Sequence, residues 1–404
     1  MKKKCLLFCL GVLLSLCSAQ MTQPEEGEGE EEVVDLFTTP TTKMAAAISD
    51  FGYNLFRQLS SHHPTANVFM SPISVSLALT QLAVGASEQA ERQLYRALRY
   101  HTLQDTKLHN TLRDLLVSLK APGKGFRSAA RVLLARRLRL KAGYLSDVEK
   151  HYGVKPLTLS GGARDMKTIN DWFKKETGGK INPVMSTPLP RNGGIGSVGA
   201  AYLKGKWITR FSQTSQKENF HLDGEEPVHV PMMHQTNYPI KMGKDSDIGC
   251  TIAQVQMEEG VSVFFFLPDE VTQNLTQIVE SLSAEFVQDL SMTLHPADAE
   301  LILPVLKLSY TTDFLPLLPD LGLSEWLANT DLVKITALPA KLSAVHHKVV
   351  MEMAPEGSQY AMATTVQPHL TYRVDRPFLF LVRDEPTGTL LFIGKVLNPQ
   401  EKKA

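Results

Sequence analysis

The sequence predicts one large α+β domain. Helical patterns come first along the chain and β-rich runs follow them, without the strand–helix–strand alternation of a parallel α/β sheet. The 404 residues include 43% hydrophobic side chains, which is enough for a sizeable core. A chain of this length suggests roughly two or three domains, but neither an internal linker nor an internal repeat divides it. We therefore expect a single domain over residues 43–400.

Apolar residues at helical spacing predict the helices. In the first helix, Ile48, Phe51 and Leu55 lie on one side. The second begins at Ser71-Pro72 and ends at Gly85, because Ser caps a helix, Pro fits its first turn and Gly terminates it. Further helical patterns cover residues 89–98, 108–119, 166–175, 275–290 and 314–327.

Short runs rich in β-branched and aromatic residues predict the strands. Three such runs lie at residues 251–257, 261–267 and 301–310. Near the C-terminus, two apolar runs flank Pro386-Thr387-Gly388, a sequence that favours a turn. We therefore predict a hairpin of two buried strands, at residues 378–382 and 390–395.

The N-terminus predicts export from the cell. Residues 1–19 combine three lysines, a short apolar run and small residues, as a secretory signal peptide does. The apolar run is shorter than the roughly 20 residues of a membrane span, and no later stretch reaches that length. Removing Lys2, Lys3 and Lys4 with this peptide changes the formal net charge from 0 to −3. Three of the four cysteines are removed too, which leaves Cys250 without a partner for an internal disulfide.

Residues 20–42 form an acidic segment, with seven carboxylates between Glu25 and Asp35. Repelling charges and few large apolar residues predict a solvated, disordered tail. A second, acidic binding site in this segment is the alternative. Because the exported chain has little net charge, we expect no nucleic-acid partner.

No motif for catalysis, nucleotide binding or metal binding fits its context. Residues 194–199 have the spacing of a dinucleotide-binding loop, but a proline-rich segment precedes them and a strand pattern follows them. The chain has no Gly-x-Ser-x-Gly nucleophile turn. The neighbours His62-His63 and His346-His347 diverge in either regular structure, so neither pair grips zinc. We therefore predict a protein that is not an enzyme and has no cofactor or metal.

Four stretches together resemble the serpin family. They follow the family order along the chain: NVFMSPIS at 67–74, TINDW at 168–172 with GKI at 179–181, YLKGKW at 202–207, and RPF at 376–378 with FIGK at 392–395. The resemblance implies the serpin fold, with three β-sheets and about eight or nine α-helices. It also implies that residues 356–377, here named the bait-like loop, correspond to the loop that serpins offer to proteases.

The resemblance further implies that the bait-like loop does not inhibit. An inhibitory serpin inserts its cleaved loop into a β-sheet, which requires small residues in the hinge of the loop. Gly357 and Ser358 are small, but Tyr360 and Met362 are bulky. The loop is also about five residues shorter than in inhibitory serpins, which removes roughly 16 Å of extended chain. The scissile bond corresponds to Leu370-Thr371, where a substrate-like cut stays possible.

One position beneath the sheet also departs from the family pattern. His347 matches a histidine that helps to regulate sheet opening in inhibitory serpins. The usual asparagine partner of this histidine is replaced by Gly199. The resemblance therefore implies a weakened hydrogen-bond switch and a fold that no longer needs to open.

Basic residues alternate with apolar ones between positions 131 and 141. A strand here would place Arg137, Arg139 and Lys141 on one face, with Arg136 at its edge. Such a row of cations suits a sulfated polysaccharide, because clustered charge and bidentate guanidinium contacts favour polyanions. The alternative is the solvated face of an ordinary strand. The resemblance assigns binding of heparin or heparan sulfate to Arg136, Arg137 and Arg139.

Two further surface features are assigned from the resemblance and from a short motif. The resemblance places collagen binding at Asp245, Asp247 and Asp289, whose carboxylates could pair with basic residues of the triple helix. The sequence alone would make them an ordinary acidic surface. Asn274-Leu275-Thr276 is a glycosylation sequon in an exported chain.

Within the family, the chain resembles a non-inhibitory member that acts outside cells as a neurotrophic and anti-angiogenic factor. We expect a secreted monomer that binds glycosaminoglycan and collagen and signals through cell-surface receptors. The receptors implied by the resemblance are a patatin-like lipase and the laminin receptor. The alternatives are a serine protease inhibitor acting by the serpin suicide mechanism and a collagen-directed chaperone of the secretory pathway. The sequence at 400–404 lacks the retention signal expected of such a chaperone.

Overall fold

The computed structural model describes residues 38–103, 105–188, 194–212, 217–271, 275–360 and 370–400. The predicted signal peptide, most of the acidic segment, the sequon residue Asn274 and the hinge residue Met362 lie outside the described residues. Among the helices that are described, none is both long enough and apolar enough to cross a membrane. In the same ranges, no group of three His, Cys, Asp or Glu side chains could hold a metal ion.

Nine α-helices lie in the described part of the chain. The first begins with a capping box, in which Thr39 and Thr42 exchange side chain–backbone hydrogen bonds of 3.1 Å. The helices are α1 (Pro40–His62), α2 (Pro72–Val84), α3 (Glu88–Ala97), α4 (Leu108–Leu119), α5 (Ala142–Tyr152), α6 (Arg164–Glu176), α7 (Thr276–Ser281), α8 (Ala284–Thr293) and α9 (Ser324–Ala328). Three short 3-10 helices cover Tyr100–Thr102, Glu258–Gly260 and Leu315–Leu321.

Helix α2 is buried along its whole length. Pro72 occupies the first turn and Gly85 follows the last residue, as the sequence predicted. Ser71 occupies the N-cap position, as predicted, but its side chain makes no capping hydrogen bond.

Sixteen strands are described, and they form three sheets, as the resemblance implied. The strands of the first half are β1 (Val68–Met70), β2 (Phe126–Leu134), β3 (Leu157–Thr158), β4 (Ile195–Leu203), β5 (Trp207–Thr209), β6 (Lys217–Phe220), β7 (Val228–Asp245) and β8 (Cys250–Gln256). Those that follow are β9 (Val261–Pro268), β10 (His295–Pro304), β11 (Leu306–Asp313), β12 (Leu342–Met353), β13 (Gly357–Gln359), β14 (Thr371–Arg373), β15 (Phe378–Asp384) and β16 (Thr389–Val396).

The five-stranded sheet has the strand order β11-β12-β4-β2-β3. Its centre is the parallel pair β4 and β12, which is hydrogen-bonded from Ile195 opposite Leu342 to Leu203 opposite Met351. Helix α2 packs against β2 and β4, and α6 covers the sheet through a separate apolar cluster that includes Phe173. The sheet therefore has no gap between its two central strands.

The nine-stranded sheet follows the order β1-β16-β15-β9-β8-β7-β10-β14, with β6 paired to β7. The predicted C-terminal hairpin is confirmed, because β15 and β16 are antiparallel and fully buried. Gly394 faces Phe380 across this pair, and a Cβ at Gly394 would lie 2.5 Å from the Cβ of Phe69. Only glycine fits between these two aromatic residues.

The predicted strand at 301–310 is in fact two strands that belong to different sheets. Strand β10 ends at Pro304 and β11 begins at Leu306, so Val305 carries the chain from the nine-stranded to the five-stranded sheet. Proline has no N–H to continue a ladder, which explains the end of β10. The continuous apolar pattern gave no sign of this change of sheet.

The two late helical patterns are also divided. The pattern at 275–290 forms α7 and α8, because Ser283 starts a new helix by accepting the Phe286 N–H at 3.0 Å. The pattern at 314–327 forms a 3-10 helix followed by the short α9. Pro319 lies inside the 3-10 helix and lacks the N–H that an α-helix would use.

One ion pair is buried beside the C-terminal hairpin. The ammonium of Lys124 contacts the carboxylate of Asp384 at the end of β15, and the two residues are 8% and 0% exposed. Thr387 donates its hydroxyl to the second carboxylate oxygen at 2.6 Å. Both oxygens of this fully buried carboxylate therefore have a partner.

Candidate functional site

The hinge of the bait-like loop is paired outside the five-stranded sheet. Strand β13, which contains the hinge residues Gly357 and Ser358, forms a parallel two-stranded sheet with β5. The Trp207 N–H donates to the Glu356 carbonyl at 3.2 Å, and the Arg210 N–H donates to the Gln359 carbonyl at 2.8 Å. Ser358 adds a side-chain hydrogen bond to the carbonyl of Ile208 at 3.1 Å. The hinge is therefore a hydrogen-bonded strand rather than a free segment.

Trp207 anchors the start of this hinge. Its side chain is fully buried and packs edge-on against Phe211, with ring centroids 5.7 Å apart. The indole N–H donates to the Ala354 carbonyl at 2.8 Å. Beside it, Lys204 pairs with Glu356 at 3.3 Å. The pKa of Glu356 is lowered, first by a hydrogen bond from its own backbone N–H and then by Lys204.

Gly357 permits the close approach of the two strands. A Cβ at this position would lie 2.5 Å from both the backbone nitrogen and the Cα of Arg210. Any larger residue would push β13 away from β5. The small size of Gly357 suits loop insertion, but it suits equally well a hinge that is paired with β5 outside the five-stranded sheet.

Tyr360 ends the paired hinge on the surface, where it is 79% exposed. The guanidinium of Arg210 lies over its ring, with Cζ 4.7 Å from the centroid, and Nη1 donates to the phenol oxygen at 2.8 Å. The sequence does not identify Arg210 as a contact of the hinge, because this residue lies 150 positions before Tyr360 and belongs to no motif. A bulky hinge residue is thus held by a cation–π contact outside the sheet.

The position matched to the scissile bond is also paired. Leu370 accepts the Glu300 N–H at 2.9 Å, and the Thr371 hydroxyl donates to the Glu300 carboxylate at 3.0 Å. Tyr372 follows in β14 and is buried, with its hydroxyl donating to the carbonyls of Thr251 and Phe265. A protease needs an extended, unpaired segment, so this arrangement disfavours the substrate-like cut at Leu370-Thr371 that sequence reasoning left open.

The structure brings together His347 and Gly199, the two positions beneath the sheet. They lie opposite each other on β12 and β4, and the His347 ring is buried. The Nε2 atom of His347 accepts the Ser71 N–H at 3.2 Å. A Cβ at Gly199 would lie 3.4 Å from Nδ1 of His347 and 3.2 Å from the hydroxyl of Ser74. An asparagine at position 199 would therefore reach the imidazole.

His347 is neutral at physiological pH. Burial, and secondarily the neighbouring His346, lower its pKa to about 3. Because Nε2 accepts a hydrogen bond, the ring proton lies on Nδ1, the nitrogen that faces Gly199. Glycine has no side-chain acceptor for that proton. An asparagine at position 199 could link β4 to the imidazole on β12 by a side-chain hydrogen bond, and Gly199 lacks this link.

The arginine cluster, defined as Arg136, Arg137 and Arg139, is exposed but does not lie on a strand. Strand β2 ends at Leu134, so the predicted alternation on one strand face is wrong. The backbone turns instead, with the Leu138 N–H donating to the Ala135 carbonyl at 2.9 Å, and the Leu138 side chain is buried. Within the described part of the chain, the three guanidinium groups have no carboxylate partner.

Lys141 lies near the cluster, but it also has a structural contact. Its ammonium donates to the Val333 carbonyl at 2.6 Å, and its backbone N–H donates to the Ile335 carbonyl at 2.9 Å. It is therefore a weaker candidate for ligand contact than the three arginines. Its exposed position still adds positive charge to this surface.

The three acidic residues assigned to collagen lie on two elements. Asp245 ends β7, and its carboxylate accepts the N–H groups of Asp247 and Ile248 at 2.9 and 3.2 Å. Asp247 is exposed on the same turn, and Asp289 is exposed on α8. Among described residues, no hydrogen bond or ion pair joins Asp289 to this turn. The structure thus brings two of the three carboxylates together.

Comparison with known proteins assigns the family. The family model described as Serpin (serine protease inhibitor) matches residues 46–399. The non-inhibitory member that the sequence resembles is pigment epithelium-derived factor, and the chain is 40% identical to the human protein over 98% of each chain. It is 31% identical to mouse alpha-2-antiplasmin, over 89% of this chain and 73% of that protein. The crystal structure of human glycosylated kallistatin matches 90% of this chain with a TM-score of 0.82 at 27% identity, and is itself covered completely. The predicted resemblance is confirmed, and the chain belongs to the serpin family.

Proposed function

We propose that this serpin is secreted and acts outside cells as a neurotrophic and anti-angiogenic factor without inhibiting proteases. It binds heparin or heparan sulfate and collagen, and it signals through cell-surface receptors such as a patatin-like lipase or the laminin receptor. The similarity to human pigment epithelium-derived factor over nearly the whole chain supports this assignment. The contacts of the bait-like loop support the absence of protease inhibition, and the exposed basic surface supports the binding of glycosaminoglycan.

Several contacts must be lost before the loop could insert. The parallel pairing of β4 with β12 would have to open along nine residues of β4. The β13–β5 pairing and the contacts of Trp207 with the hinge would also have to break. Tyr360 would then have to leave Arg210 and enter a sheet that packs closely on α2 and α6. These costs support a loop that stays outside the sheet.

The exposed arginine cluster is the single observation that carries glycosaminoglycan binding. Three guanidinium groups lie within four residues and have no carboxylate partner in the described ranges. Guanidinium groups form bidentate hydrogen bonds with sulfate-like oxyanions, and clustered positive charge attracts a polyanion at long range. The surface is therefore free to bind a sulfated chain without first losing internal ion pairs.

Changing Arg136, Arg137 and Arg139 together to Ala is expected to abolish salt-sensitive retention on heparin. The triple variant loses the contacts that supply both the bidentate hydrogen bonds and most of the local charge. Elution from a heparin column in a sodium chloride gradient measures this effect. The wild-type protein should elute well after the variant.

A matched control changes three exposed cations on α1 and α3, namely Lys43, Arg92 and Arg96, to Ala. This variant has the same net charge as the triple arginine variant and should retain most of its affinity for heparin. Equal elution of the arginine variant and the wild-type protein would refute the proposed site. Equal losses in both variants would show an effect of net charge alone.

Collagen binding is the second part of the proposed surface chemistry. Asp247 and Asp289 are exposed, and Asp245 is partly exposed on the turn that it stabilises. Carboxylates at these positions can form charge-assisted hydrogen bonds with lysine and arginine side chains of a triple helix. The support here is the resemblance and the exposure of the side chains.

Protease inhibition by the suicide mechanism is the competing function. It is favoured by the 31% identity to mouse alpha-2-antiplasmin and by the small hinge residues Gly357 and Ser358. The two functions predict opposite outcomes when a protease cuts the bait-like loop. Inhibition requires insertion of the cut loop, whereas the proposed function requires that it stay outside.

A further inference from the structure

A second basic segment, residues 333–341, lies beside the arginine cluster although it comes almost 200 positions later in the chain. At one end, the Lys141 N–H donates to the Ile335 carbonyl at 2.9 Å, and Leu140 forms an antiparallel bridge with Thr336. At the other end, Gly194 connects the two segments. Its carbonyl accepts the Ala135 N–H, and the N–H of the next residue donates to the Lys341 carbonyl, both at 2.9 Å.

The two segments therefore run side by side in opposite directions. Their approach at Gly194 is close, since a Cβ there would lie 2.4 Å from the carbonyl oxygen of Lys341 and 2.7 Å from its nitrogen. Glycine is required at this position for steric reasons. The placement of Lys341 is thus fixed by backbone contacts and not by its own flexible side chain.

An open concavity of about 400 Å³ lies between the segments. Arg137 lines it on one side and Lys341 on the other, with Asn329 and Thr330 also in its wall. Ala328, Pro339 and Ala340 make much of the remaining wall apolar. The two cations can pair with a sulfate group, while the apolar wall can contact the sugar ring that carries it.

The second segment also adds free positive charge. Lys334 and Lys341 are both exposed, and neither forms an ion pair with a described residue. They are seven positions apart, and the backbone contacts at residues 335–336 and at Lys341 place them towards opposite ends of the segment. Several cations along two neighbouring segments suit a polyanion with repeated charges better than a single small anion.

We infer that the arginine cluster and residues 333–341 form one discontinuous binding surface for sulfated glycosaminoglycan, with a sulfated sugar seated between Arg137 and Lys341. This inference rests on the proposed glycosaminoglycan binding and deepens it. The chain of sugars runs along this surface from Lys341 past the arginine cluster towards Lys334. Lys334 and Lys341 are therefore ligand contacts that no local motif reveals.

The test is the double variant Lys334→Gln and Lys341→Gln in the full-length protein, measured against heparin. Glutamine keeps a similar polar stem and removes the charge. We expect elution at lower salt than the wild-type protein. Polyanion binding releases counterions, so the slope of log affinity against log salt should fall by roughly one for each lysine lost.

The matched control is Lys307→Gln on β11 of the same five-stranded sheet. Lys307 is exposed and lies opposite Glu352 near the far end of β12, and Glu352 is about 36 Å from Lys341 along an extended strand. The Lys307→Gln variant should elute at nearly the same salt concentration as the wild-type protein, with nearly the same slope of log affinity against log salt. An equal loss per charge in this control would overturn the inference, because the effect would then depend only on net charge.

The outcomes also separate the inference from the proposed function. A double lysine variant that elutes with the wild-type protein, while the triple arginine variant has lost retention, overturns the discontinuous surface and leaves the arginine site intact. Unchanged retention in both variants overturns both. Melting temperatures close to that of the wild-type protein confirm that each variant is folded.

Discussion

Replacing Lys124 with Met is expected to lower the free energy of unfolding by about 3–5 kcal/mol. The substitution removes the ammonium that neutralises Asp384, a carboxylate with no exposed surface. Methionine can occupy much of the same space, so the loss comes from an uncompensated buried charge and not from a cavity. Thr387 can still donate to one oxygen, but it cannot supply a charge.

Two further variants isolate this effect in urea unfolding at neutral pH. Lys307→Met removes an exposed lysine from an ion pair of 3.7 Å with the partly buried Glu352, and it should cost under about 1 kcal/mol. Adding Asp384→Asn to Lys124→Met should restore part of the stability, because a neutral amide is cheaper to bury than a carboxylate. A Lys124→Met protein within about 1 kcal/mol of the wild type would contradict the account.

Replacing Trp207 with Ala is expected to cost about 3–5 kcal/mol as well, through the cavity left by a fully buried indole. This change also removes the hydrogen bond to Ala354, which fixes the start of the hinge. The loop should therefore become a better protease substrate. Cleavage by chymotrypsin after the exposed Tyr360, followed by mass spectrometry, measures that release.

Trp207→Phe provides the matched control. Phenylalanine retains a large aromatic ring against Phe211 but cannot donate to Ala354, so it should cost less than the alanine change. Its cleavage rate should lie between those of the wild type and of Trp207→Ala. Equal cleavage rates in all three proteins would show that Trp207 does not control the hinge.

Much of the fold is predictable from the sequence, because the relevant signals are local. Pro72 and Gly85 bound α2 within a residue, and the turn Pro386-Thr387-Gly388 identifies the C-terminal hairpin. Apolar periodicity found the early helices. These signals do not depend on which elements become neighbours in space.

Other features depend on tertiary neighbours, and the sequence did not reveal them. Charge alternation suggested a strand through the arginine cluster, but β2 ends at Leu134 because the chain turns towards α5 over the buried Leu138. Val305 moves the chain between sheets inside one apolar run. An alternating or apolar pattern records which side chains are buried, not which sheet buries them.

The candidate sites also combine features that the local sequence shows with contacts that only the fold creates. The bulk of Tyr360 is visible in the sequence, whereas its contact with Arg210 requires the folding of residues 150 positions apart. The replacement at Gly199 could be identified by resemblance, but its contact with Nδ1 of His347 follows from the pairing of β4 and β12. Lys341 is held beside the arginine cluster by backbone contacts at Gly194 and Ile195, which lie almost 150 positions earlier. Non-local contacts of this kind leave no pattern in either segment alone.

We expect the bait-like loop to stay outside the five-stranded sheet after it is cut. The melting temperature of the protein, measured before and after a chymotrypsin-like or elastase-like protease cuts the loop, distinguishes insertion from exclusion. We predict that the cut protein forms no SDS-stable complex and keeps its melting temperature, because the pairing of β4 with β12 stays intact. A large rise in melting temperature after cleavage, with a covalent protease complex on the gel, would show instead that the loop inserts.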